Sequence, residues 1–202
     1  MQKEVFLMAG LGNPGKEYIF TRHNIGFRVL ENWLANTSLK NINYPGNLVM
    51  DKKHQAKIAK VKMPKQEIIL VEPQTFMNRS GYSIKSVINY YKIPLENIII
   101  IHDDLSFPLG EFKFSQNAGP AGHNGIKSII NHLGTKNFSR LRIGIASVDD
   151  SCPVNHQGGH NFVLAKFTTE EEEIMTHLFS DTADILNYYL ENGFDKTANK
   201  FN

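Results

Sequence analysis

Four consecutive isoleucines, Ile98–Ile101, form the feature that most limits the folds open to this chain. β-Branched residues favour strands, and a strand made only of apolar residues is buried on both faces. Such a strand lies in the centre of a sheet that helices cover on both sides. The polar residues His102, Asp103 and Asp104 follow directly. The run NIIIIHDD therefore predicts a central strand with ionisable side chains at its end.

Helical and strand patterns alternate along the rest of the chain. Apolar residues spaced three and four apart predict helices over residues 25–34, 84–91 and 124–132. Short apolar or alternating runs predict strands in EVFLMAGL, NLVMD, AKIAKVKM, EIILVEP, EFKF and RLRIGIA. This alternation predicts an α/β fold, with a single domain over residues 1–202 and a twisted mixed β-sheet flanked by helices.

Two local features are predicted at the edges of this fold. The strands NLVMD and AKIAKVKM flank the polar segment DKKHQ, so we expect an exposed, lysine-rich hairpin. Thr169 and Glu172 have the spacing of a capping box. That pair predicts the start of a last helix, which ends at Gly193.

Basic and acidic residues are unevenly distributed, although the net charge is only +2. Residues 1–166 hold 20 of the 22 basic residues against 12 acidic ones, a net charge of +8, whereas residues 167–195 contain no Lys or Arg. A basic body beside an acidic helix favours a polyanionic partner. Ordinary solvated surface charge explains the same counts equally well.

Neither a membrane segment nor a metal site is predicted. No apolar run is long enough to span a bilayer, and the N-terminus lacks a signal-peptide pattern, so we expect a cytoplasmic protein. The single cysteine, Cys152, excludes an intrachain disulfide. His156 and His160 are four residues apart, but Gly158 and Gly159 argue against a helix there. We therefore expect no metal site in the loop 149–161.

Gly10, Gly12 and Gly15 have the G-x-G-x-x-G spacing of a dinucleotide-binding turn. In such a turn the third glycine opens a helix, and an acidic residue follows about 20 residues later. Here KEYIFTR separates Gly15 from the first helical residue, and Glu31 falls inside the predicted helix. We therefore reject a nicotinamide-dependent oxidoreductase and interpret the glycines as a support for His23.

Four polar segments fall where strand or helix ends expose them: TRHN, FMNRSG, HDD and GHNG. They supply histidine, asparagine and aspartate, with no serine or cysteine in a nucleophile elbow. Such a group hydrolyses a substrate with histidine as general base on water, aspartate orienting the imidazole, and amides holding the water and the carbonyl. Each residue alone has a simpler interpretation, such as a helix cap for His23 or His123. The combination favours a hydrolase.

In this order and at these separations, the segments GLGNPGKEYIFTRHNIGF, PQTFMNRSG, HDDL, AGHNGIKSII and FSRLRIGI closely resemble the bacterial peptidyl-tRNA hydrolases. The resemblance runs from about Val5 to the terminal helix. It implies an enzyme that cleaves the ester between a peptide and the 3′-terminal ribose of tRNA, which recycles the tRNA during translation. It also implies a monomer that needs neither a metal nor an organic cofactor. The alternative is a non-catalytic RNA-binding member of the same family.

The resemblance implies roles for individual residues. His23 is the catalytic base, and Asp103 holds and charge-stabilises its ring. Asn13 tests whether the amino group of the substrate is blocked by a peptide bond. The peptide and the acceptor end of the tRNA are bound in a cleft formed by Tyr18, Phe76, Met77, Asn78 and Asn124.

The sequence departs from the family pattern at three places. One is the segment SVDDSCPVNHQGGHNF, which is unlike the usual short loop of the family. Of the two basic residues for the tRNA 5′-phosphate, Arg142 is present, but the second position is Ser115. Side chains alternate along a strand, so Lys113 lies on the same side as Ser115, and we expect Lys113 to pair with Arg142 instead. The loop before the GHNG segment has Pro120 and Ala121 where the family usually has glycine.

Overall fold

A computed structural model describes residues 3–36, 47–147 and 159–202. The elements follow in this order: β1 (Glu4–Gly10), α1 (Ile25–Asn36), β2 (Val49–Asp51), β3 (Ala56–Lys62), β4 (Gln66–Pro73), α2 (Ser80–Tyr91), β5 (Ile98–Pro108), β6 (Phe112–Ser115), α3 (Asn124–Leu133), β7 (Ser139–Ala146), α4 (Gly159–Val163) and α5 (Thr169–Phe201). Short 3₁₀ turns at Arg22–Asn24 and Met77–Arg79 precede α1 and α2.

The strands form one seven-stranded sheet in the order β2-β3-β4-β1-β5-β7-β6. The strands β4, β1, β5 and β7 are parallel, whereas β2, β3 and β6 run antiparallel to their neighbours. The strand β5 pairs with β1 on one side and β7 on the other, which confirms the predicted central position of NIIIIHDD. The predicted α/β fold with a mixed sheet between helices is also confirmed.

The four isoleucines of β5 alternate between two hydrophobic cores. Ile99 and Ile101 pack with α1 and α5 on one side of the sheet, and Ile98 and Ile100 pack with α2 and α3 on the other. All four are at most 1% exposed. Burial of an aliphatic side chain of this size contributes about 1.5–3 kcal/mol. Burial on both faces explains why this strand carries no polar residue before His102.

Gly10 and Gly26 allow β1 and α1 to pack with their backbones in contact. A Cβ atom on Gly10 would overlap the carbonyl group of Gly26, and one on Gly26 would overlap the backbone of Leu11 and Ile101. This close approach places the turn Arg22–Asn24 beside the ends of β1 and β5. The first glycine of the G-x-G-x-x-G pattern therefore serves helix packing.

The capping box of α5 lies one residue earlier than predicted. The Thr168 hydroxyl accepts a hydrogen bond from the backbone N–H of Glu171, and the Glu171 carboxylate accepts one from the backbone N–H of Thr168. The predicted pair of Thr169 and Glu172 is wrong because TTEEEE offers the same spacing twice. Helical geometry breaks at Gly193, which has φ 76°, but a second helical segment follows and continues to the end of α5.

The lysine-rich hairpin forms as predicted, with β2 antiparallel to β3 and Met50 opposite Lys57. Most of the loop 149–161, including Cys152 and His156, lies outside the described residues. Among the helices in the described ranges, none has the length and apolar character needed to cross a membrane.

Candidate active site

A cleft of about 520 Å³ opens where β1, β4 and β5 end. The loops after β1 and β4, the polar end of β5 and the first residues of α3 line it. It brings together eight of the residues that the sequence predicts: Asn13, Tyr18, His23, Phe76, Met77, Asn78, Asp103 and Asn124. Arg142 and Lys113 lie outside it, on β7 and β6.

His23 and Asp103 form the predicted pair at the bottom of this cleft. The Nδ1 atom of His23 is 2.9 Å from both carboxylate oxygens of Asp103. Because a carboxylate only accepts hydrogen bonds, Nδ1 carries the proton, and Nε2 is the ring nitrogen left for the cleft. Burial alone would lower the pKa of His23, but the charge of Asp103 and the hydrogen bond to it raise that pKa.

His123 binds the same carboxylate, which the sequence did not predict. Its Nε2 atom is 2.9 Å from Oδ1 of Asp103, while its Nδ1 atom accepts hydrogen bonds from the backbone N–H groups of Gly125 and Ile126. His123 is therefore also the cap of α3. Burial alone would raise the pKa of Asp103, but the two histidines hold it well below its usual range. Asp103 is thus anionic and held from two sides.

His102 supports this group from behind. The centres of the His102 and His123 rings are 4.7 Å apart, and the two ring planes make an angle of 70°. The Nδ1 atom of His102 donates a hydrogen bond of 2.7 Å to the backbone carbonyl of Asp103. Complete burial lowers the pKa of His102 to about 3. His102 is therefore neutral and serves packing rather than proton transfer.

The side chain of Asn13 is held in one orientation. Its Oδ1 atom accepts a hydrogen bond of 2.9 Å from the backbone N–H of Met77. Asn24 fixes the backbone of Asn13 through two hydrogen bonds. The side-chain oxygen of Asn24 accepts from the N–H of Asn13, and the side-chain NH₂ of Asn24 donates to the carbonyl of Asn13. The hydrogen bond from Met77 fixes which end of the Asn13 amide faces Met77, and it leaves the NH₂ group of Asn13 available to donate to a substrate. The sequence did not predict the contribution of Asn24.

The walls of the cleft combine aromatic rings with free amides. The rings of Tyr18 and Phe76 meet edge to face with centroids 6.4 Å apart. Met77 is buried behind them. Asn78 and Asn124 are exposed at the rim, and neither side chain forms a hydrogen bond to any residue in the described ranges. Both amides are therefore available to bind carbonyl oxygens or water.

The turn that carries His23 is attached to α5 by a buried ion pair. Arg22 and Glu171 are only 5% and 7% exposed. One terminal nitrogen of the Arg22 guanidinium donates hydrogen bonds to both carboxylate oxygens of Glu171, at 2.6 and 2.8 Å. The guanidinium of Arg22 also lies over the rings of Phe162 and Phe167. Arg28 and Glu172 form a second, more exposed pair one residue further along α5.

Arg142 and Lys113 lie directly opposite each other on paired antiparallel strands. This register agrees with the expectation that the two form a cationic pair. The guanidinium of Arg142 is more covered than we predicted, because its Nε atom donates a hydrogen bond of 2.7 Å to Asp104 and the group lies over the ring of Phe107. Ser115 lies opposite a different arginine, Arg140.

The loop before α3 retains a glycine-like backbone without the glycine. Ala121 has φ 46°, in the left-handed region that favours glycine, and Gly122 follows with φ 82°. This conformation costs about 1–2 kcal/mol for an alanine. Ala121 therefore adopts a backbone conformation that a glycine would adopt without this cost.

His23, Asp103 and His123 also have ligand atoms within 4.8 Å of one another, a spacing compatible with a metal ion. Both histidine nitrogens that face Asp103 carry protons, however. A metal on Nε2 of His123 would move its proton to Nδ1 and break two hydrogen bonds that cap α3. The geometry is that of a hydrogen-bonded base.

Comparisons with known proteins point to one family. A sequence profile of the family described as peptidyl-tRNA hydrolase matches residues 7–202. The chain is 42% identical to the peptidyl-tRNA hydrolase of Lactobacillus gasseri over 92% of each chain, and 37% identical to that of Clostridium novyi over 98% of each. The crystal structure of peptidyl-tRNA hydrolase from Acinetobacter baumannii matches with a TM-score of 0.86 and 31% identity, covering 100% of this chain and 97% of that one. The chain therefore belongs to the peptidyl-tRNA hydrolase family.

Proposed function

We propose that this chain hydrolyses the ester bond of peptidyl-tRNA, releasing a free peptide and a reusable tRNA. The observation that carries this proposal is the His23–Asp103 pair, which leaves one unprotonated ring nitrogen facing a cleft lined by free amides. We further propose that the enzyme works in the cytoplasm as a single-domain monomer, with no metal and no organic cofactor.

His23 acts as a general base on a water molecule. Its Nε2 atom takes a proton as the water oxygen attacks the ester carbonyl, and Asp103 stabilises the resulting imidazolium. The bond between the carbonyl carbon and the ribose oxygen then breaks, and the proton on His23 passes to that oxygen. A ribose oxygen leaves more readily than an amine, so an activated water suffices.

The amides of the cleft stabilise the substrate and the charge that develops on it. Asn78 and Asn124 each offer an NH₂ group to the carbonyl oxygen or to the attacking water. The apolar wall of Tyr18, Phe76 and Met77 excludes bulk water, which strengthens these interactions.

Labelled water tests this reaction. Peptidyl-tRNA hydrolysed in H₂¹⁸O should give a peptide with one ¹⁸O atom in its terminal carboxylate, together with a tRNA that still accepts amino acids. A protein that binds peptidyl-tRNA and releases no peptide would instead be the non-catalytic alternative.

The pH profile of kcat/KM should reveal the influence of Asp103 on His23. Only neutral imidazole accepts a proton, so activity should fall as pH drops through the raised pKa of His23. Asp103→Asn removes the charge that raises this pKa, and we expect it to move the acid limb to lower pH and to lower the plateau. Asp104→Asn is the matched control. Its acid limb should stay at the wild-type pH, because Asp104 binds Arg142 rather than His23. An acid limb that stays in place in Asp103→Asn contradicts the pairing.

Asn13→Asp should reduce the preference for peptidyl-tRNA over aminoacyl-tRNA. The carboxylate still accepts the Met77 N–H but cannot donate to the peptide carbonyl that a blocked amino group provides. It also attracts the free ammonium group of aminoacyl-tRNA. Loss of one such hydrogen bond costs roughly 1–3 kcal/mol, so the ratio of the two kcat/KM values should fall about tenfold. An unchanged ratio would leave Asn13 with only a role in the turn.

Arg142→Ala should raise KM for full peptidyl-tRNA with little change in kcat. Guanidinium binds phosphate through two hydrogen bonds, whereas ammonium acts as a point charge, so Lys113→Ala should have the smaller effect. Each lost phosphate contact should also make the slope of log K against log salt concentration less steep by about 0.7–0.9. A peptidyl-adenosine substrate has no 5′-phosphate and should be unaffected. Equal losses on both substrates would exclude a 5′-phosphate site at Arg142.

A further inference from the structure

Charge is separated between the two sides of the sheet. Residues 52–66, 74–95 and 117–138 form the β3 region, α2 and α3, and they contain no Asp or Glu. The helices α2 and α3 pack on the same side of the sheet. On the opposite side, α5 carries eight acidic residues. One side of the protein is therefore suited to a polyanion along most of its width.

Cations and aromatic rings follow one another along the outer face of α2. Arg79, Tyr82 and Tyr90 are exposed, and their spacing places them on one side of the helix. Phe76, at the rim of the cleft, is 58% exposed and precedes them. The 12 residues of α2 span about 18 Å. This face thus leads from the cleft to the β2–β3 hairpin.

The hairpin continues the same pattern. The ammonium groups of Lys53 and Lys60 lie over the rings of Tyr90 and Tyr91, at 3.9 and 4.8 Å from the ring centres. Across the described part of the chain, no carboxylate lies within ion-pair distance of either lysine, whereas Lys57 on the other face of β3 pairs with Glu72. Lysines held over aromatic rings without a counterion remain available to an anion.

The surface shares its side of the sheet with the cationic pair of Arg142 and Lys113. In β7, Leu141 and Ile143 point toward α1 and α5, so Arg142 between them points to the side of α3. The hairpin and the pair lie at opposite edges, and six strand spacings separate β2 from β6, about 29 Å. Lys127 lies on α3 and Lys136 follows it, and α3 packs on this same side of the sheet. Such a width exceeds a single nucleotide and fits a stretch of folded RNA.

We propose that the outer face of α2 and the β2–β3 hairpin, here named the α2–hairpin surface, bind the phosphate backbone of the tRNA part of the substrate. This inference rests on the proposed function, because it takes peptidyl-tRNA as the substrate. Lysines neutralise phosphates, and exposed tyrosines stack with unpaired bases or ribose edges. The α2–hairpin surface thus extends substrate binding well beyond the cleft and the cationic pair.

The test compares two double variants with equal changes in charge. Lys53→Gln/Lys60→Gln removes the two hairpin lysines that lie over tyrosines. Lys196→Gln/Lys200→Gln is the matched control on α5, where Lys200 lies over Tyr188 at 4.2 Å. Binding of uncharged tRNA is measured at several salt concentrations, and kcat/KM is measured for full peptidyl-tRNA and for peptidyl-adenosine.

The hairpin variant should bind tRNA about tenfold more weakly than wild type. The slope of log K against log salt concentration should become less steep by about 1.4–1.8, because two phosphate contacts are lost. Its kcat/KM should drop on full peptidyl-tRNA and stay unchanged on peptidyl-adenosine. Binding equal to that of the control variant overturns the proposal, as does an equal loss on both substrates. If the hairpin variant loses affinity for an unrelated duplex RNA but not for tRNA, the proposal is also overturned. Uncharged tRNA cannot be hydrolysed, so its affinity tests the α2–hairpin surface alone. A wild-type protein that binds tRNA but shows no hydrolysis would refute the proposed function, and the comparison of tRNA affinities would still test the surface.

Discussion

Replacing His23 with alanine is expected to lower the turnover of peptidyl-tRNA by about 10²–10⁴-fold, the usual contribution of a general base. The affinity for tRNA should stay close to wild type, because the phosphate contacts lie elsewhere. Turnover is measured with saturating peptidyl-tRNA, and affinity with uncharged tRNA. A loss confined to kcat identifies an interaction made only in the transition state.

His177→Ala is the matched control for this substitution. His177 is an exposed residue of α5, away from the cleft, and its loss should leave turnover unchanged. Near-wild-type turnover in His23→Ala would refute the assignment of the base. In that case His123, the other histidine bound to Asp103, would be the next residue to test.

Glu171→Gln is expected to lower the free energy of unfolding by about 3–5 kcal/mol. The substitution keeps a side-chain oxygen for the backbone N–H of Thr168 but leaves the guanidinium of Arg22 buried without its anionic partner. A buried charge without a counterion is costly, so the effect should exceed that of an ordinary surface change. Denaturant unfolding at neutral pH measures the difference.

Glu172→Gln provides an adjacent control with identical chemistry. The carboxylate of Glu172 is 37% exposed in its pair with Arg28, and pairs of this kind contribute about 0–1 kcal/mol. Similar small losses in both variants would contradict the account of the Arg22–Glu171 pair. A double variant, Arg22→Met/Glu171→Gln, should recover part of the loss because it removes the unpaired charge.

The fold follows from local patterns to a large extent. The run Ile98–Ile101 predicts a doubly buried strand because every side chain is apolar, and the structure confirms it. Local spacing fails where it is ambiguous, as at TTEEEE, where two threonines each precede a glutamate by three residues. Both glutamates pair with an arginine, and the Arg22–Glu171 pair is the more buried of the two. That burial depends on residues far along the chain, which local spacing does not report.

The candidate site is less accessible to sequence reasoning because its contacts are distant along the chain. Its residue types point to a base, but His123 reaches Asp103 from 20 residues away and Arg22 meets Glu171 across 149 residues. Such contacts depend on helix placement, which periodicity does not specify. Similarly, the register that puts Lys113 opposite Arg142 became definite only with the strand pairing.

Histidine-activated, metal-free hydrolysis is tested most directly by multiple-turnover release of an N-blocked peptide from peptidyl-tRNA, with an excess of metal chelator present. We expect the wild-type chain to release peptide at a rate that the chelator does not change and to leave the tRNA intact. His23→Ala should show release near the spontaneous rate under the same conditions. Wild-type release that the chelator abolishes, or no release by a protein that still binds the substrate, would contradict a histidine-activated, metal-free hydrolysis.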